Sequence, residues 1–393
     1  MRRFEALDSW RGLCALLVVV FHLNQDIHWS LLDAQFVHRF DRFVDFFFVL
    51  SGFVIASSYE RRLGQGYGIV AFALRRFGRI YPLHLVTLAA MLAFALLRRP
   101  LVEGRFDQSL VFNGGIFDAS AIFTNLTMLH GVGFENHLTW NYPSWSISAE
   151  FYTYLLFAGV WAFAARWSGT AMAALAAAAF AALIVFDAPS LSLLTFVQCS
   201  FGFALGALTW RLFSRLGDAA LRREHATIAE VGAVSAVIAF VLWGNGEAWF
   251  AMPLFALVVL AFAFEQGPIS AVLRTRPLLR LGELSYSIYM VHAVLIFWVW
   301  GVVGAIETRT GVRLTAQHPN GEAGDMLWGV SSAPWVGDLL MLIMLGLVLA
   351  VSGLTYACVE KPGRSWGQRA SERWAVGGWR ALVGGRQTQN GPA

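Results

Sequence analysis

Leu7-Asp8-Ser9-Trp10-Arg11-Gly12-Leu13-Cys14-Ala15-Leu16-Leu17-Val18-Val19-Val20-Phe21-His22-Leu23 is an apolar run with an arginine near its start and a histidine near its end. Read as a helix, the step from Arg11 to His22 turns through about 1100°, three turns and about 20° more, and rises about 16 Å. Both side chains therefore fall on one stripe of a segment otherwise suited to hydrocarbon. An ionisable group at the centre of a bilayer costs about 2.5–3.5 kcal/mol on insertion scales, so it normally faces a protein interior or a water-filled cavity. A snorkelling arginine and a satisfied interfacial histidine would produce the same stripe without any chemistry. The remaining segments decide between the two.

The apolar character extends through the chain. Of 393 residues, 57% are hydrophobic and 14% charged, against about 45–50% and about 25% in a soluble globular domain, and the apolar residues come in long blocks. Runs of about 17–25 apolar residues mark ten spans, at residues 7–24, 43–60, 80–97, 144–165, 169–186, 190–210, 227–244, 249–265, 285–305 and 336–358. The expected fold is all-α, a polytopic transmembrane bundle over residues 1–362 followed by a short polar cytoplasmic tail over 363–393, with Pro362 stopping the tenth span. Ile116 to Leu129 is apolar but broken by Asp118, Ser120, Thr124 and Asn125, which predicts a re-entrant or interfacial piece. The first run carries Arg11 and lacks a small-residue cleavage site before Asn24, so it is expected to remain as a span. Cys14, Cys199 and Cys358 have neither metal-ligand spacing nor a disulfide framework and read as packing residues; no metal is expected.

Charge sets the orientation. With the N-terminus in the cytoplasm, the inner segments hold 21 Lys and Arg and the outer loops 7, the asymmetry of a chain with both termini inside. The net charge of +4 thus reflects orientation, not nucleic-acid binding. Arginine outnumbers lysine 28 to 1 amid abundant alanine, a bias of GC-rich bacterial genomes that points to a bacterial inner membrane. Two outer segments are long, 98–143 and 307–334, and rich in Gly, Asn, His, Asp and Trp. That mixture suits a polar acceptor such as a sugar, as it suits an ordinary solvated loop.

Four further stretches carry polar groups into the spans. Asp45-Phe46-Phe47-Phe48-Val49-Leu50-Ser51-Gly52-Phe53 places a carboxylate at the outer edge of the second span; it reads equally as a helix-packing notch. Arg75-Arg76-Phe77-Gly78-Arg79-Ile80-Tyr81-Pro82 sets Arg76 and Arg79 on one face at the cytoplasmic side. Guanidinium forks there suit the phosphates of a nucleotide-containing donor, though lipid headgroups and topology ask for the same residues. Trp145-Ser146-Ile147-Ser148-Ala149-Glu150-Phe151-Tyr152 buries Glu150 about a turn and a half into a span, with Ser146 on the same face. Ser285, Tyr289 and His292 form one hydrogen-bonding stripe at i, i+4 and i+7.

Taken together and in this order, these pieces resemble the acyltransferase-3 family of integral-membrane O-acyltransferases. The resemblance rests on Asp8-Ser9-Trp10-Arg11-Gly12 with His22, the stretches beginning at Asp45, Arg75, Trp145 and Ser285, and Glu360-Lys361-Pro362, covering Leu7 to Pro362. It implies ten or more spans, an acyl-CoA donor reached from the cytoplasm, and transfer of a short acyl group, commonly acetyl, to a carbohydrate hydroxyl. It further implies essential roles for Arg11 and His22 and donor binding by Arg76 and Arg79, with Arg75 beside them. No extracytoplasmic hydrolase-like domain, of the kind some members append, is expected.

Geometry adds a mechanism to that expectation. With the nucleotide of acetyl-CoA on Arg76 and Arg79, the pantetheine arm runs past Arg11 and brings the thioester toward His22, about 16 Å deeper. His22 is then the general base that takes the acceptor's proton, and Glu150 is expected to fix its tautomer, with Asp45 second in line. A covalent acyl-histidine and direct transfer both remain open. The competing reading is a transporter or flippase, in which the same Arg, His and Glu line a solute path. Oligomeric state and acceptor identity are not legible.

Overall fold

A computed structural model describes residues 2–27, 34–101, 115–185, 190–217, 223–244, 251–312, 314, 316–319, 326–329 and 334–383. Much of the two long outer loops, Arg105 among it, and the tail from residue 384 lie outside the described residues. A helix occupies each of the ten expected segments: α1 (Glu5–Asp26), α2 (Phe43–Gly64), α3 (Ile69–Leu101), α4 (Trp145–Phe163), α5 (Ser168–Val185), α6 (Leu191–Leu216), α7 (Arg223–Trp243), α8 (Ala251–Ala263), α9 (Arg276–Thr310) and α10 (Pro334–Thr355). An eleventh, α11 (Lys361–Val383), follows. Among the described residues seven helical stretches are long and apolar enough to cross a membrane, and α8 is a shorter apolar helix. The chain is an integral membrane protein. A small antiparallel hairpin pairs β1 (Ala316–Pro319) with β2 (Met326–Gly329) between α9 and α10.

Glycine decides where the helices touch. A Cβ on Gly12 would lie 2.6 Å from Gly282 N, so the backbones of α1 and α9 meet with no side chain between them. Arg11 bonds at Gly282 and Ser285 and His22 at His292, so the two helices run parallel and in register. Gly52, Gly202 and Gly206 bring α2 and α6 together in the same way, each facing backbone or a Cβ of the partner. Fully buried Phe46, Phe53, Phe157, Phe203 and Phe262 fill the space these contacts leave.

Residues 116–129 do not form a span. They break into a 3-10 turn at Gly115–Phe117 and a six-residue helix at Ala121–Leu126. The polar interruptions take backbone partners: Asn125 Nδ2 donates to Ala121 O at 2.8 Å and Thr124 Oγ1 to Ala121 O at 3.0 Å. Cys14 and Cys199 are buried and free, and Cys358 is free and exposed.

The end of the tenth segment departs from expectation. Pro362 does not stop the helix: Tyr356–Glu360 forms a π-helical turn, and α11 starts at once with Lys361. A proline lacks the N–H that an α-helix interior needs, but the register change places Pro362 in the first turn of α11, where that N–H has no helical role. The first turns of α11 pack antiparallel on α3, with Gly363 and Gly367 against Gly78 and Tyr67 OH 2.8 Å from Ser371 Oγ. Glu360 is wholly buried, accepting from Ser287 Oγ at 2.9 Å and pairing with Arg364 at 2.6 Å.

Replacing Gly282 by Val should force α1 off α9 and cost about 1–3 kcal/mol by overpacking. A melting temperature in detergent equal to that of the unchanged chain would contradict the contact.

Candidate active site

Five helices supply one cavity between them. Arg11 from α1, Ser51 from α2, Arg76 and Arg79 from α3, Glu150 and Tyr154 from α4, and Ser285 and Tyr289 from α9 line a partly open cavity of about 90 Å³. Arg75, one residue from Arg76, does not line it. The cavity therefore gathers three cations and one carboxylate, and sets Arg11 beside Ser285, 274 residues away in sequence.

Each charged group is held differently. Arg11 is locked: Nε donates to Ser285 Oγ at 2.8 Å, Nη2 to Gly282 O at 3.1 Å, and Asp8 Oδ1 lies 3.5 Å away. Arg76 donates once, to Tyr59 OH at 3.2 Å, and its guanidinium stands over the rings of Tyr59, Phe72 and Tyr154. Its Nε is buried without a hydrogen-bond partner. Arg79 makes no hydrogen bond to a described residue, though it lines the cavity. Buried guanidinium N–H groups left over in this way are the donors a phosphate or other oxyanion would satisfy. Glu150 Oε1 accepts from Tyr154 OH at 2.5 Å and from Ser51 Oγ, and the two hydroxyls lie 2.8 Å apart.

His22 stands outside this cavity. Its ring lies 5.0 Å from that of His292 and 4.9 Å from that of Tyr142. Its Nδ1 lies 3.0 Å from Val18 O and 3.2 Å from His292 Nε2. Between the cavity and the histidines stands Tyr289. Its hydroxyl bonds Ser146 Oγ at 2.8 Å and Pro143 O at 3.1 Å, with Phe47 edge-on at 5.8 Å and His292 at 5.9 Å.

Two expectations change. Glu150 does not bond His22; its hydrogen-bond partners among the described residues are Ser51 and Tyr154, which claim it because they lie within its own turn and on the facing helix. Asp45 does not bond His22 either: it is buried and accepts from Gln198 Nε2 at 2.9 Å, drawn to α6 where that helix crosses α2. The side chain that His22 meets across the α1–α9 seam is His292. The stripe Ser285, Tyr289, His292 does act as one hydrogen-bonding face, meeting Arg11, Ser146 and His22 in turn.

Some residues escaped sequence reasoning. Tyr142 closes on His22 and also lines a small recess with His130, His137, Thr139, Trp145 and Ser192. His84 and His130 stack at 5.4 Å with nearly parallel planes, bonded to Asn125 O at 2.9 Å and Ser144 Oγ at 3.0 Å. The available signal was His84 itself, an ionisable residue between Leu83 and Leu85. Among the described residues no cluster of His, Cys, Asp and Glu could hold a metal ion.

The sequence pattern of a family described as an acyltransferase domain matches residues 4–358. A protein named acyltransferase MdmB, from Streptomyces mycarofaciens, is 28% identical over 395 residues, covering 92% of this chain and 91% of its own. A protein named putative membrane-bound transacylase BcsY, from Komagataeibacter xylinus, is 27% identical over 377 residues, covering 94% of this chain and 85% of its own. A protein named protein 2 in picA locus, from Rhizobium radiobacter, is 39% identical over 93 residues, 23% of this chain and 46% of its own. No solved structure matches.

Ser51 and Tyr154 share one carboxylate oxygen and touch each other, so their removal should not be additive. A double-mutant cycle of Ser51→Ala and Tyr154→Phe, read by thermal unfolding, should give a coupling energy of about 0.5–3 kcal/mol, and a value of zero would contradict the cluster.

Proposed function

Because the chain belongs to this acyltransferase-3 family, we propose that it moves an acyl group, acetyl first among candidates, from cytoplasmic acyl-CoA to a hydroxyl of a surface or secreted carbohydrate. Its place would be a bacterial inner membrane, with both termini cytoplasmic, consistent with the charge asymmetry of its loops. One observation carries the reading: Arg11, Arg76 and Arg79 line a single cavity, where Arg76 Nε is buried without a partner and Arg79 makes no hydrogen bond to a described residue. A solute path would need no such store of unsatisfied guanidinium groups.

Acetyl-CoA enters as a substrate. Its phosphates would lie against Arg76 and Arg79 at the cytoplasmic mouth, because a cavity of about 90 Å³ admits a slender arm and not an adenine nucleotide. The arm would pass Arg11, whose guanidinium is held still by Ser285 and Gly282 and so adds positive charge without reorganising. The thioester would then reach Tyr289, on whose other side His22 waits. The acceptor would come from the opposite side, over the recess that Tyr142 and Trp145 share with polar Thr139 and Ser192. His22 would take the hydroxyl proton as general base.

In membrane vesicles given acetyl-CoA labelled in the acetyl carbon, His22→Ala at equal expression should carry no label into a glycan fraction while still inserting in the membrane. Label retained by that variant would remove the base assignment. Replacing Arg76 and Arg79 together by Ala should raise KM for the donor by about 10-fold or more, given that hydrogen bonds to charged groups each contribute about 1.5–3 kcal/mol. An unchanged KM would move the donor site elsewhere.

A further inference from the structure

Two imidazoles meet where the C-terminal part of α1 lies against the middle of α9, and the acceptors around them determine where each carries its proton. His292 Nδ1 lies 3.3 Å from Ile288 O, and His22 Nδ1 lies 3.0 Å from Val18 O. A carbonyl oxygen only accepts, so each neutral ring holds its hydrogen on Nδ1. His292 is then left with a lone pair on Nε2, and that atom lies 3.2 Å from His22 Nδ1. The Nδ1–H of His22 is shared between Val18 O and His292 Nε2. Its own lone pair sits on Nε2, which bonds no described residue. His292 is 0% exposed and is flanked by Tyr289 at 5.9 Å and Tyr142 at 6.2 Å, ring to ring, so its orientation is fixed by packing as well as by bonding.

We infer that His292 is a positioning residue for His22, which holds the tautomer with the basic lone pair on Nε2 and accepts from Nδ1–H when His22 becomes an imidazolium. The inference rests on the proposed role of His22 as base. In the transfer, the acceptor O–H gives its proton to His22 Nε2 while its oxygen bonds the thioester carbonyl carbon. The C–S bond then breaks, and the same proton passes to the departing CoA sulfur, which returns His22 to neutrality. Throughout, the Nδ1 hydrogen stays on His22, aimed at His292 Nε2. In other acyl-transfer sites a buried carboxylate does this orienting. Among apolar helices a neutral imidazole does it without burying a second full charge.

The test compares His22→Ala, His292→Leu and His292→Gln in the full-length chain, in vesicles supplied with labelled acetyl-CoA and the glycan fraction. Glutamine keeps an oxygen that accepts from His22 Nδ1–H; leucine does not. The leucine variant should lose about 100-fold in kcat with donor KM changed by no more than about two-fold, as expected when an orienting partner is removed from a working base. The glutamine variant should recover about ten-fold or more of that loss. Leucine and glutamine impaired alike, an unchanged kcat in the leucine variant, or a loss confined to KM would each overturn the positioning role. Activity retained by His22→Ala would instead remove the base reading beneath it, so the two failures are distinct. If the leucine variant does not insert in the membrane, His292→Met takes its place in the comparison with glutamine.

Discussion

The contact between Gly12 and Gly282 is the constraint on which the interior arrangement depends. Two helices whose backbones touch have almost no freedom to slide, because any axial shift drives a Cα into a neighbouring carbonyl. With that register fixed, Arg11 meets the Gly282 carbonyl and the Ser285 hydroxyl of α9, and His22 meets His292. The spacing along α1 therefore becomes a spacing inside the bundle, with a cation and a histidine at two depths along one seam. Nothing in either helix's propensity requires this; a pair of missing side chains does.

The polar groups of the interior fall into two kinds. Glu230 is wholly buried and fully engaged, accepting from the backbone N–H groups of Gly267, Ile269 and Ser270 and from the Ser270 hydroxyl, so it ties α7 to the turn after α8 and has no capacity left. Glu360 with Ser287 and Arg364 ties α9 to the C-terminal helix, although Arg364 Nε is left without a hydrogen-bond partner. The cavity groups differ. Arg76 keeps an unused Nε and Arg79 makes no hydrogen bond to a described residue. A buried donor without an acceptor costs about 1–3 kcal/mol, and on the proposed reading the phosphates of the acyl donor would supply the missing acceptors.

Much of this was legible in the sequence because membranes simplify the code. Length and apolarity marked the ten segments that are helical, and helical spacing alone put Ser285, Tyr289 and His292 on one face. The partners of His22 were not legible in the same way. Glu150 looked available because a buried carboxylate must be satisfied, and the sequence does not reveal that Tyr154, one turn on, and Ser51, across the seam, satisfy it already. Which helix faces which is set by glycine contacts between distant segments, and pairings such as Gly12 with Gly282 have no local signature. Pro362 misled for a related reason. A proline ends a helix only if its missing N–H is needed, and the π turn before it removes that need.

Tyr289 has one more consequence. An enzyme fed from both faces of a membrane is in danger of becoming a pore, since a path wide enough for a thioester and an alcohol to meet is wide enough for water and ions. The phenol of Tyr289, pinned by Ser146 and Pro143 and backed by Phe47, fills the place where the two entrances would join. On the two-sided delivery proposed above, that phenol would keep the cavity and the histidine pair from merging into one aqueous path.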